Sequence, residues 1–256
     1  KLGLEKKRPK LFRDLPAFPK EQLREQYTGG DIVIQACADD EQVAFHAVRN
    51  LISKGRNKVT MKWSQSGFAA IGDRMETPRN LFGFKDGTAN VTKEKDFDKV
   101  VWSDSQDWMK NGSYMAVRRI IMHLETWDRT NLQEQENTFG RYKESGAPFG
   151  KKNEFDEVDL SLLPVDSHVR LAKEVDLPIL RRSYSYSDGI DPKTGQFDAG
   201  LLFIAFQKDP DRFVKIQTNL GADDKMNEYV THIGSGLFAC FGGVKKGGYI
   251  GQDLFE

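Results

Sequence analysis

From Tyr114 onward the chain runs through two hydrophobic periods in a fixed order, and this order constrains the fold more than any other feature. Apolar residues every second position mark a strand, and a spacing near 3.6 marks a helix. Tyr114–Leu124 (YMAVRRIIMHL) has the make-up of a long strand. Thr126–Gly140 is polar and helix-compatible, ending on a glycine suited to a C-cap. After an insertion through Gly146, Pro148, Gly150 and Pro164, Arg182–Tyr186 (RSYSY) alternates as a strand does, and Gly200–Gln207 (GLLFIAFQ) is a continuously apolar strand. Pro210–Asn219 and Asp224–His232 follow as helices, and Gly236–Cys240 closes as a strand. The order β-α-β-β-α-β predicts the split βαβ, or ferredoxin-like, arrangement.

The preceding stretch holds half of such a unit. Asp31–Cys37 (DIVIQAC) and Val59–Gln65 (VTMKWSQ) are strand-like. Between them Asp39–Lys54 places Val43, Ala47, Val48, Leu51 and Ile52 on one helical face behind an acidic cap. This is the last β-α-β of a ferredoxin-like unit without its opening half. The expected class is therefore α+β, with two ferredoxin-like antiparallel-sheet domains and peripheral helices, the first incomplete in this chain. Residues 1–30 are expected as an arm or linker, 31–113 as the partial first domain and 114–256 as the second. A lone β-α-β leaves an unpaired edge and an uncovered sheet face, so either the natural protein extends further at its N-terminus or this half-domain packs on its neighbour. The opening segment KLGLEKKRPKLFRDLPAFP is basic and lacks the apolar core of a secretory signal.

Charge narrows the partners. The 256 residues carry 38 Lys+Arg against 38 Asp+Glu, so the formal net charge is zero and no broad basic surface for nucleic acid is built. The RNA-recognition motif shares the β-α-β-β-α-β order, but it stacks bases on aromatics of a characteristic strand segment that has no counterpart here. No stretch approaches the roughly 20 apolar residues of a membrane span. Cys37 and Cys240 lie far apart and neither belongs to a CxxC pair, which supports neither a disulfide framework nor a thiolate metal site.

Four histidines are present: His46, His123, His168 and His232. His46 falls in a helix, His123 in a strand and His232 at an expected helix C-terminus, all suited to structural roles. His168 stands in PVDSHVRLA, where Asp166 or Ser167 can cap a short helix and fix the imidazole at its first turn. In Phe82-Gly83-Phe84-Lys85-Asp86-Gly87-Thr88, glycines flank a single carboxylate and let backbone turn tightly against a partner. Strand alternation sends Arg181 and Arg182 to opposite faces, so one arginine points inward and requires an anion.

Together, in this order and spacing, GFKDG, DSHVRLA, the Arg181-Arg182 pair and GLLFIAFQKDP resemble the dye-decolorizing peroxidases. EQENTFGRYKESGAP from Glu134 and the C-terminal GSGLFACFGG resemble the subgroup associated with bacterial iron uptake, the deferrochelatase/peroxidases (EfeB type). The resemblance runs from about Phe18 to the end. It implies haem b (iron protoporphyrin IX) bound between helices and a sheet, with His168 as the proximal iron ligand, Asp86 as the distal acid–base and Arg181 as the distal arginine. It further implies haem contacts at Gly87, Thr88, Ala89 and Asn90. Glu228 is the expected acceptor for the second imidazole nitrogen, and Arg118, Arg119 and Arg141 are candidate propionate partners.

The implied partners are hydrogen peroxide and a reducing small molecule or dye. The resemblance also implies an extracytoplasmic setting, peripheral association with an iron-uptake permease system and a homodimer. Trp102, Trp108, Trp127 and Tyr184 are candidate electron relays for donors too bulky to reach a buried haem, although core packing is the commoner role of such residues. One departure is that Lys173-Glu174-Val175 stands where many relatives carry Asn-Pro-Arg. A non-catalytic haem carrier on the same fold would need His168 but tolerate loss of Asp86 and Arg181; the presence of all three favours the enzyme.

Overall fold

The structure, a computed structural model, describes residues 3–69, 76–105 and 107–256. Its centre is an antiparallel sheet built by β1 (Ser113–Met122), β2 (Leu180–Arg181), β3 (Tyr184–Ile190), β4 (Phe197–Gln207) and β5 (Val230–Cys240). β5 pairs with β1, β1 with β4, and β4 with both β2 and β3, which form one edge interrupted at Arg182-Ser183. With the helices between β1 and β2 and between β4 and β5, this is the β-α-β-β-α-β unit expected from the sequence.

The strand alternation gives the sheet two different faces. On β1, Met115 and Val117 join Ile204 and Phe238 in one apolar layer, and Ala116 packs with Phe213 and Phe18 on the opposite face. That second face is covered by α6 (Pro210–Asp223), which starts on an Asp209 cap with proline in its first turn. Its neighbour α5 (His168–Glu174) packs beside it.

Two helical expectations are modified. The segment from Thr126 forms two helices, α3 (Leu124–Asp128) and α4 (Leu132–Phe139), because the Asn131 side chain caps a fresh start by accepting from the Glu134 N–H. α4 ends as expected on Gly140, whose φ of 82° is the left-handed C-cap conformation. After α6 only a short 3-10 turn, Lys225–Glu228, precedes β5, so His232 lies on a strand rather than at a helix C-terminus. His123 stands just beyond β1, as the N-cap of α3.

Before the sheet, α1 (Glu41–Lys54) forms as expected, capped by Asp40, and α2 (Glu94–Val100) follows the Asp86 loop. Asp31–Cys37 and Val59–Gln65, expected as strands, join no ladder. A strand exists only through a neighbour bonded backbone to backbone, and among the described residues these segments pair with no strand. Ile32, Val43, Phe45, Leu51 and Met61 are accordingly exposed. The segment expected as an arm is tied to β5 from Gln22 to Gly29 by backbone bonds to His232, Ile233 and Ser235, and Glu21 pairs with buried Arg118. At the other end α7 (Gln252–Phe255) is a single short turn. No helix among the described residues is long and apolar enough to cross a membrane.

Candidate active site

Phe82 and Phe84 fix the Asp86 loop to the body of the protein. Each is 2% exposed, and both enter a cluster with Trp127, Phe139, Met122, Met226 and Tyr229. Phe84 stacks on Phe139 at 3.9 Å between ring centroids, and Trp127 donates its indole N–H to the Phe82 carbonyl. The Asn80 side chain accepts from the amides of Phe82 and Phe84, and the Asp86 amide donates to the Pro78 carbonyl. At Gly87 a φ of 127° turns the chain in a conformation side chains rarely adopt, so the glycine is required for its backbone rather than for space.

The loop meets the sheet edge through two contacts. Asp86 Oδ1 accepts from Arg181 Nη1 at 2.7 Å. Asn90 grips the same residue by its backbone, donating to the Arg181 carbonyl and accepting from the Arg181 amide. Of the arginine pair, Arg181 is the one directed at the loop carboxylate. Arg182 interacts with Cys37 and Tyr184 instead, which raises its pKa.

His168 is the first residue of α5. The N-cap is Ser167, whose hydroxyl donates back to the Pro164 carbonyl and does not cap the helix. His168 Nδ1 lies 2.6 Å from Asp224 Oδ2. Glu228, expected in that role, is exposed on the 3-10 turn, and the acceptor is Asp224, which is 3% exposed. Burial of the ring opposes its charge, but the charge and hydrogen bond of Asp224 outweigh this and the His168 pKa is raised. Asp224 is held in turn by the Met226 amide, which donates to its other oxygen.

Both groups open into one cavity of about 580 Å³. Asp86, Gly87, Thr88, Ala89, Arg181 and His168 line it, between α5 and α6 and the sheet residues Arg118, Ile120, Leu201 and Phe203. His168 keeps 36% of its side-chain exposure because its ring faces this space. Of the three candidate propionate arginines, Arg118 and Arg141 line the cavity. Arg119 projects to the other face of the sheet, between the rings of Tyr27 and Tyr186 and paired with Asp188 and Asp198. Asn90 lines a smaller adjoining pocket of about 280 Å³, which Asp86 and Arg181 also border.

His232 also lines the main cavity, although the sequence marked it only as a structural residue. Burial, with Arg118 and His168 nearby, pushes its pKa down to about 3. Trp127 is a core residue, 1% exposed, and Tyr184 holds the Cys37 thiol at 3.2 Å.

The donor set suits a macrocyclic iron. Among the described residues no cluster of three or more His, Cys, Asp or Glu could hold a bare ion. His168, with Nδ1 committed to a carboxylate, has only Nε2 left to offer a metal, and the remaining positions would come from a tetrapyrrole.

Similarity to known proteins extends over almost the whole chain. A family model for the C-terminal part of Dyp-type peroxidases matches residues 77–245, and one for their N-terminal part matches residues 1–69. The chain belongs to the Dyp-type peroxidase family. Among its relatives, the deferrochelatase of Escherichia coli (strain K12) is 39% identical over 280 residues. That of Escherichia coli O157:H7 is 40% identical. The alignments cover 100% of this chain, which spans 66% of the length of these curated relatives. A solved Dyp-type peroxidase from Cellulomonas bogoriensis superposes with a TM-score of 0.93 at 35% identity, covering 99% of this chain and 74% of that one. Ferric DtpA from Streptomyces lividans gives 0.91 at 37%, with the same coverage.

Proposed function

We propose that this protein is a haem b peroxidase that reduces hydrogen peroxide while oxidising dyes, phenols or similar donors, with release of iron from haem as a second activity of the site. The observation that carries this is a single cavity lined by both the Asp86–Arg181 pair and the Asp224-held His168. A non-catalytic carrier would have no use for the first of these.

In this reading His168 Nε2 holds the iron. Asp224 keeps the proton on Nδ1 and orients the ring, which raises the electron density of the ligand. Arg118 and Arg141 supply cations for the propionates, and Gly87, Thr88 and Ala89 bring the loop backbone against the ring. The haem, when bound, would supply the two electrons that reduce peroxide and regain them one at a time from the donor. Asp86 takes the proton from one peroxide oxygen and delivers it to the departing one. Arg181 stabilises the negative charge that grows on the departing oxygen, and its bond to Asp86 aligns the two side chains for successive use. A homodimer and an extracytoplasmic place beside an iron-uptake permease belong to the same reading, supported by the resemblance to the iron-uptake subgroup.

The test is an absorption spectrum of the haem-loaded protein before and after one equivalent of hydrogen peroxide, followed by a reducing dye. A Soret band that changes with peroxide and returns with donor is expected. Failure to form a Soret band, or a band indifferent to peroxide, rejects the proposal.

A further inference from the structure

Asp86 is gripped by Arg181, and the two residues that flank the Asp86-Gly87 turn are both gripped by one carboxylate. Glu154, in the insertion after α4 and 8% exposed, accepts from Lys85 Nζ on Oε2 at 2.8 Å and from the Thr88 hydroxyl on Oε1 at 2.8 Å. Each oxygen therefore holds one side of the Asp86-Gly87 turn. Glu154 is itself anchored, because Arg141 Nη1 donates to its carbonyl at 2.9 Å and to the Gly146 carbonyl at 2.6 Å. Gly146 leaves no slack beneath: a Cβ there would come within 2.8 Å of Lys85 Cδ and 3.3 Å of Glu154 Cγ. Burial opposes ionisation of Glu154, but its bonds from Lys85, Thr77 and Thr88 outweigh this and its pKa is lowered.

We infer that Glu154 is a positioning residue for Asp86, fixing the carboxylate's distance and direction through Lys85 and Thr88 while touching neither substrate nor cofactor. Gly87 makes such a brace necessary, because glycine leaves the turn free to pivot unless both flanks are held. The brace also links two parts of the cavity wall, since Arg141 lines the cavity and anchors the residue that sets the loop. This inference rests on the role proposed above for Asp86.

The experiment compares the full chain, Glu154→Gln, Asp86→Asn and the double variant. Three readouts are used: the rate of reaction of the haem-loaded protein with peroxide, the thermal midpoint, and hydrogen–deuterium exchange of the 80–90 loop in haem-free protein. Glu154→Gln keeps an acceptor for Thr88 and loses the charge that holds Lys85. It should slow the peroxide reaction by about tenfold, part of the ~10²–10⁴-fold that a positioned acid–base group supplies. Exchange in the loop should rise, Glu154→Asp should recover part of the rate, and Glu154→Gln should add no further loss in the Asp86→Asn background. An unchanged rate in Glu154→Gln, or the same fold-loss with and without Asp86, overturns the inference while leaving Asp86 in its role. An Asp86→Asn variant as fast as the parent removes both.

Discussion

His168 Nδ1 and Asp224 Oδ2 stand 2.6 Å apart across the junction of α5 with the end of α6, with the carboxylate 3% exposed and the imidazole facing the cavity. The bond joins residues 56 positions apart in sequence. It fixes the ring's orientation and, in the proposed haem site, would leave Nε2 as the nitrogen free to hold the iron.

Asp224→Asn is expected to keep the cap on Met226, because Oδ1 remains an acceptor, while removing the charge beside His168. Loss of such a partner typically costs about 10–100-fold in metal affinity. Transfer of haem from the variant to a competing apoprotein should therefore be faster by a comparable factor, and the iron potential should rise because the ligand is less electron-rich. Unchanged haem transfer and potential would remove Asp224 from this role.

Much of this arrangement was legible in the sequence, and the exceptions share a cause. The sheet could be read because Arg182–Tyr186 alternates and Tyr114–Leu124 and Gly200–Gln207 have strand composition, whereas Asp86, Arg181 and His168 stood out as candidates through the family resemblance that their motifs carry together. Asp224 could not be chosen over Glu228, since both are acidic residues of the expected Asp224–His232 helix and only the packing of α5 on α6 separates them. The same holds for Glu154, which no local pattern connects to a loop more than sixty residues earlier. Asp31–Cys37 and Val59–Gln65 show the opposite failure: strand-like composition without a neighbour to complete a ladder. Arg118 and Arg119 were equivalent as sequence: alternation along β1 sends them to opposite faces, and the packing of α6 on one face makes Arg118 the one at the cavity.

Asp86 and Arg181 should separate activity from stability. Their side chains are 25% and 29% exposed, so as an ion pair they contribute about 0–1 kcal/mol. Asp86→Asn and Arg181→Leu should leave the urea midpoint nearly unmoved. Stopped-flow mixing with peroxide should nevertheless show losses of about 10²-fold or more. A large loss of stability with little loss of rate would reverse the assignment.

Phe84 should behave in the opposite way. Its ring is 2% exposed and stacked on Phe139, so Phe84→Ala is expected to cost about 3–5 kcal/mol in chemical denaturation. The loop carrying Asp86 loses its anchor in the same change, so the peroxide rate should fall as well. Phe84→Leu, which refills most of the volume, should recover most of the stability; if it does not, the stack rather than the burial is what matters.

His232 makes acid stability a test of the cavity wall. Its folded pKa is pushed down to about 3, foremost by burial and then by Arg118 and His168. The unfolded chain takes up that proton near pH ~6.5, so the neutral ring's contribution is complete above this value. It is lost as pH falls toward the folded value, at up to ~1.4 kcal/mol per pH unit. His168 acts with the reverse sign: its pKa is raised in the folded state, so its contribution is present at low pH and fades as pH climbs through the folded value. In haem-free protein, unfolding free energy measured between pH 6.5 and 4.5 should therefore decline less steeply in His232→Gln than in the parent, whereas His168→Gln should change the profile chiefly above pH ~6.5, where the parent loses the stability that the charged His168 provides. Parallel pH profiles for His232→Gln and the parent would show that this imidazole is as easily protonated in the folded protein as in the unfolded chain.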